Sequence, residues 1–153
     1  MDDRFARVVE TLAPKLEILL AMRPHRYGQL PLNMPEKGVY LFSEGDQHLY
    51  IGRSNVLRKR YHRHFKSHKS AAFAFLLARK ETGRLKASYK KDESNRDGLM
   101  RDATFANAFA SAKLRMRDMD YRYVEEQDQV CQALLEIYCA VVLQTPFNDF
   151  GTH

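Results

Sequence analysis

Residues 38–52 read Gly38-Val39-Tyr40-Leu41-Phe42-Ser43-Glu44-Gly45-Asp46-Gln47-His48-Leu49-Tyr50-Ile51-Gly52. Two short runs of aromatic and β-branched residues flank a polar, glycine-containing turn, which is the composition of a β-hairpin. The length of that turn decides which side chains share a face. A three-residue turn, Glu44-Gly45-Asp46, places Tyr40 opposite Tyr50. A two-residue turn, Gly45-Asp46, pairs Tyr40 with Ile51 and splits the tyrosines across the sheet unless a bulge intervenes.

Working outward, Asp2 or Asp3 can cap a first helix carrying Phe5, Val8, Val9, Leu12, Leu16, Leu19 and Leu20 at helical spacing. An extended connector rich in proline follows, from Pro24 to about Gly38. Beyond the hairpin, Ser54 is an N-cap for a helix to about Phe65, with Leu57, Tyr61 and Phe65 as its apolar edge. A helix is expected from Ser70 to Thr82, stopped by Gly83. Residues 83–98 read as a polar loop, Leu99 to Ala112 as a helix, and Lys113 to Glu125 as a half-exposed strand. Asp128 caps a last helix to about Leu143. The pattern is α+β, a small sheet with helices in one domain.

The chain has 153 residues, 44% of them hydrophobic and 29% charged, with a formal net charge of +6. Its longest apolar stretch, Ala133 to Leu143, is too short to span a bilayer and contains Glu136. The first ten residues lack the apolar core of a secretory signal. Cys131 and Cys139 lie eight apart in one helical pattern and form neither a disulfide nor a CxxC pair, so a reduced cytoplasmic setting is expected. His64 and His68 have a ligand-like spacing but no carboxylate beside them, and a zinc site is discounted. Charge is unevenly spread: residues 53–91 carry 13 basic side chains and one acidic, Glu81, whereas the flanking segments are net negative. Such a positive field favours a polyphosphate partner over a membrane surface.

One constellation is more specific. Gly38-Val39-Tyr40 and Tyr50-Ile51-Gly52 are followed by Arg60, His64, Glu136 in ALLEIYCAVVL and Asn148 in TPFND. In this order they resemble the five motifs of the GIY-YIG nuclease superfamily, over residues 38–150. The resemblance implies a small three-stranded antiparallel sheet flanked by helices, and it favours the hairpin register that puts Tyr40 opposite Tyr50. On that reading, residues 1–37 are an added N-terminal helix and connector, residues 38–153 the nuclease-like domain, and about 70–112 a helical insertion.

The resemblance further implies a stand-alone, divalent-metal-dependent endonuclease acting on DNA, with RNA left open, and leaving 5′-phosphate and 3′-hydroxyl ends. Tyr40, Tyr50, Arg60, His64, Glu136 and Asn148 become the catalytic candidates, and Glu136 holds a single Mg²⁺ or Mn²⁺. No small-molecule cofactor or membrane is implied, and oligomeric state is unread. Arg60 and His64, at i and i+4, share a helix face away from the apolar edge and can address a phosphate. Arg53, Arg58, Lys59, Arg63, Lys66 and Lys69 would hold the backbone. Glu136 is the only charge in an apolar helix expected to be largely buried, so it needs a partner, either an arginine or a cation. A tyrosine phenolate would serve as base, with Tyr40 and Tyr50 equally placed. Asn148 is either a turn residue after Pro146 or a polar anchor that steadies the site. The alternative from another class is a nucleic-acid-binding module without catalysis.

Overall fold

Three strands, β1 (Gly38–Glu44), β2 (Gln47–Ser54) and β3 (Asp120–Glu125), form an antiparallel sheet of order β2-β1-β3 in the computed structural model, which describes residues 1–84 and 95–151. Six helices accompany it among the described residues: α1 (Asp3–Ala21), α2 (Leu57–Arg63), α3 (Ala72–Thr82), α4 (Arg96–Met100), α5 (Ala103–Arg117) and α6 (Gln129–Leu143). The architecture is α+β with an N-terminal helix, as the sequence indicated. No helix among the described residues is long and apolar enough to cross a membrane. The chain divides into two units, Met1–Arg58 with Met119–Asn148, and Lys59–Asp118 with Asp149–His153.

In the first unit, one sheet face carries Val39, Leu41, Ile51 and Val124, which pack with Leu12, Leu16 and Leu19 of α1 and Leu135 and Cys139 of α6. Asp2 caps α1 by accepting from the amides of Arg4 and Phe5, and Asp128 caps α6 by accepting from Cys131. The opposite face is aromatic. Tyr40, Phe42, Tyr121 and Tyr123 stack along it, with Tyr40 and Tyr121 5.8 Å apart and Phe42 and Tyr121 5.2 Å apart between ring centroids. The connector extends the β3 edge: His25 exchanges two backbone bonds with Tyr121, at 2.9 and 2.8 Å, and its ring stacks on Tyr123.

The hairpin combines the two turn alternatives. Its turn is the two-residue Gly45-Asp46, bracketed by the Glu44–Gln47 pair, but the register shifts beyond Ser43–His48 because Leu49 is an extra residue in β2. That bulge brings Phe42 opposite Tyr50 and Tyr40 opposite Gly52. Tyr40 and Tyr50 therefore share the aromatic face as diagonal neighbours, not as a directly opposed pair. Two glycines permit close approach there. A Cβ on Gly52 would strike the Tyr40 phenol, and one on Gly38 would strike the Val124 carbonyl.

The second unit centres on Phe75 of α3, whose ring meets Phe105 of α5 at 4.9 Å. Gly83 ends α3 in the left-handed conformation. Several boundaries differ from expectation. Lys113–Arg117 is helical, not strand, since Phe105, Phe109, Ala112 and Met116 continue one buried helical stripe. The helix expected to start at Leu99 is two helices, because α4 already begins at Arg96, within the expected loop, and ends at Met100 before α5, while residues 85–94 of that loop lie outside the described residues.

The helix expected to reach Phe65 stops at Arg63, and His64 takes the buried position after Tyr61, leaving Phe65 half-buried. His64 is fully buried. It is not open to a phosphate, contrary to the expectation from i, i+4 spacing. Burial, reinforced by the Arg60 guanidinium, lowers its pKa to about 3 from an ordinary 6.5. The folded protein thus keeps the ring neutral where the unfolded chain protonates it. Stability present above pH 6.5 is lost as pH falls toward 3, by up to about 1.4 kcal/mol per pH unit from this group. Urea melts from pH 7 to pH 4 should show a shallower loss of stability in His64→Leu than in the wild type; equal slopes would contradict the assignment.

Candidate active site

The hairpin residues are fixed by their strands. Tyr40 is buried, with 1% of its surface exposed and its ring 6.4 Å from that of the half-buried Tyr50. Because β2 is an edge strand, its outward backbone groups need a partner from elsewhere. Asn148 supplies it. Its side-chain amide donates to the Ile51 carbonyl at 2.7 Å, and its side-chain oxygen accepts from the Ile51 amide at 2.8 Å. Thr145 donates to the same oxygen at 2.8 Å, and the Phe147 amide donates to the Leu49 carbonyl at 3.2 Å. The segment after α6 is thereby zipped onto Leu49 and Ile51, the residues either side of Tyr50.

Glu136 lies on the other side of the sheet. Arg53 is the cross-strand partner of Val39 and emerges on the face that α6 covers. Its Nε donates to Glu136 Oε2 at 2.9 Å. One turn earlier on α6, buried Gln132 donates to the Asn55 side chain at 3.1 Å and to the Glu126 carbonyl at 2.8 Å. Glu136 is not deeply buried. α6 covers the sheet with one side only, burying Leu135 and Cys139 while Ile137 and Val141 are 45% and 67% exposed. The carboxylate sits on that boundary, 21% exposed. Burial raises its pKa above the ordinary carboxylate value, and Arg53 pulls it part of the way back.

In this state the partner of Glu136 is an arginine, one of the two candidates that the sequence left. The structure therefore brings together Tyr40 with Tyr50, Arg53 with Glu136, and Asn148 with the strand between them. It does not put the phenols and the carboxylate on one face; they flank the same edge strand from opposite faces. Gln132 and Asn55 were not foreseen. Their signal was a polar residue one turn before Glu136 on an otherwise apolar helix.

Fit to a divalent cation rests on this donor set. Among the described residues no group of three or more His, Cys, Asp or Glu side chains could hold a metal. Glu136 would be a single anionic ligand, which suits Mg²⁺ completed by water and substrate phosphate better than a closed protein cage.

Within the second unit, Arg60 gives one N–H to the Ser70 carbonyl at 2.9 Å, and His64 is enclosed. Lys59, Arg63, Lys66 and Lys69 are exposed there, as is Arg53 in the first unit. Arg58 is half-buried and donates to the Pro31 and Leu32 carbonyls of the connector.

The Asn148 clamp predicts a measurable loss. Asn148→Ala should cost about 1–3 kcal/mol, since two backbone groups lose their partner. It should also speed hydrogen exchange at the Ile51 amide relative to the Leu41 amide in the adjoining strand. Unchanged protection at Ile51 would contradict the clamp.

Comparison with known families agrees with the hairpin and with the arginine helix after it. The model of the GIY-YIG catalytic domain matches residues 36–115, which include both tyrosines, Arg60 and His64 but neither Glu136 nor Asn148. No curated protein and no solved structure matches the chain. With a glycine-bounded tyrosine hairpin, its arginine helix and a family match across half of its length, the chain belongs to the GIY-YIG nuclease family.

Proposed function

We propose that this protein is an endonuclease that hydrolyses phosphodiester bonds in DNA, using one Mg²⁺ or Mn²⁺ held by Glu136 and leaving 5′-phosphate and 3′-hydroxyl ends. The observation that carries this reading is Glu136 itself. It is the sole, solvent-reachable carboxylate of a mostly apolar helix, held beside the strand that carries Tyr50, in a chain whose family implies a nucleic acid substrate.

When bound, the cation supplies Lewis-acid neutralisation of charge on the leaving oxygen. The protein's own groups supply the rest. Arg60 would stabilise charge growing on the nonbridging phosphate oxygens, since a guanidinium has further donors beyond the one given to Ser70. One of Tyr40 and Tyr50 would take the proton of the attacking water while the other orients it. A phenol with pKa near 10 is a weak base at neutral pH, so this role requires cations to lower that value. His64, enclosed and neutral, would act by supporting Arg60, not by touching phosphate. Asn148 would fix the pitch of β2 under Tyr50. Arg53, Lys59, Arg63, Lys66 and Lys69 would contact the DNA backbone without reading sequence. Arg58, tied to the connector, would contribute field more than contact. The free thiols of Cys131 and Cys139 suit the reduced, cytoplasmic setting proposed for the enzyme.

The Arg53–Glu136 ion pair also suits a second reading, a module that binds nucleic acid and does not cut. A plasmid nicking assay separates the two. Wild type with Mg²⁺ should convert supercoiled DNA to nicked circles, and Glu136→Ala should be slower by at least about a hundredfold while retaining salt-dependent binding. Binding without cutting by either protein, across metals and salt, would leave the second reading standing. Absence of salt-dependent affinity would overturn both.

A further inference from the structure

We infer that Arg53 competes with the divalent cation for Glu136, holding the carboxylate in the nucleic-acid-free protein and releasing it when a phosphate engages its guanidinium. The inference rests on the proposed role of Glu136 as metal ligand.

Four observations support it. The contact is direct and charge-assisted, Nε to Oε2 at 2.9 Å, so a cation on that oxygen meets the guanidinium's charge and competes with its N–H for the same acceptor. The partners are unequally held: the Arg53 side chain is 44% exposed and the Glu136 side chain 21%. Arg53 can therefore swing toward solvent-borne phosphate while Glu136 stays on its helix. The backbone on both sides of the pair is pinned independently, by Gln132 to Asn55 and by Asn148 to Ile51, so the exchange needs only a side-chain rotation. Last, among the described residues no group of three or more His, Cys, Asp or Glu side chains offers the ion a ready-made site.

The thermodynamic consequence is coupling. A phosphate that draws Arg53 away raises the cation affinity of Glu136, and by linkage the cation raises affinity for the phosphate by the same factor. A permanently paired carboxylate would bind the ion poorly in either state. Arg53 would thus load the metal only where there is a backbone to cut.

The test is Mn²⁺ binding to the protein alone, read from the free-ion electron paramagnetic resonance signal. Arg53→Gln should bind Mn²⁺ about tenfold more tightly than wild type, within the usual range of such couplings, whereas Arg53→Lys should stay close to wild type. A folded Arg53→Gln protein that binds no more tightly would overturn the competition. A second readout needs no variant. On Mg²⁺ titration of the wild type, the side-chain Nε–H resonance of Arg53 should move together with the backbone amides of Leu135 and Glu136. An Arg53 resonance that stays fixed while those amides shift would also overturn it. Glu136→Gln added to Arg53→Gln separates the two levels: Mn²⁺ affinity equal to that of Arg53→Gln alone would sink the metal-ligand reading itself. If Glu136→Gln abolishes binding while Arg53→Gln changes nothing, the ligand reading stands and only the exchange falls.

Discussion

A carboxylate at the margin of an apolar helix must be given a counter-charge, and the contact between Glu136 and Arg53 is where this protein meets that demand. Around it the first unit is arranged in layers. α6 caps the aliphatic sheet face, and its polar residues one turn apart, Gln132 and Glu136, both reach the outgoing end of β2. The chain after α6 then returns along the outer edge of the same strand, where Asn148 satisfies the Ile51 backbone. One strand is thereby gripped from its face and from its edge. Tyr50 and Gly52 inherit their positions from that grip, and Tyr40 from its packing over Gly52.

Much of this was legible because it is local. Asp2, Asp128 and Gly83 mark helix ends through short-range hydrogen bonds or a left-handed φ, and each does so in the structure. The tyrosine and glycine spacing was readable for the same reason. Register was not, since the bulge at Leu49 depends on how three strands settle together. The strand expected from Lys113 to Glu125 begins only at Asp120, because Leu114 and Met116 mimic alternation, whereas Met116 in fact extends the stripe of Phe105, Phe109 and Ala112.

The site was legible in part. Glu136 and Asn148 could be singled out, but the arginine that holds Glu136 could only be counted among many cations. The enclosure of His64 follows from where α2 ends, a boundary set by tertiary packing and not by propensity. Expecting α6 to be largely buried also misjudged it. A helix that lies on a sheet buries one side, and Ile137 and Val141 stay exposed. That partial exposure is what keeps Glu136 within reach of solvent and substrate.

The central claim is that Glu136 is the place where the cation sits once nucleic acid is bound. Paramagnetic broadening tests it most directly: Mn²⁺ is added in small amounts to isotopically labelled protein bound to a short DNA duplex. The amides of Leu135, Glu136 and Ile137 should broaden first. Broadening centred instead on acidic residues elsewhere, such as Asp97 or Asp102, with the Glu136 region untouched, would contradict it.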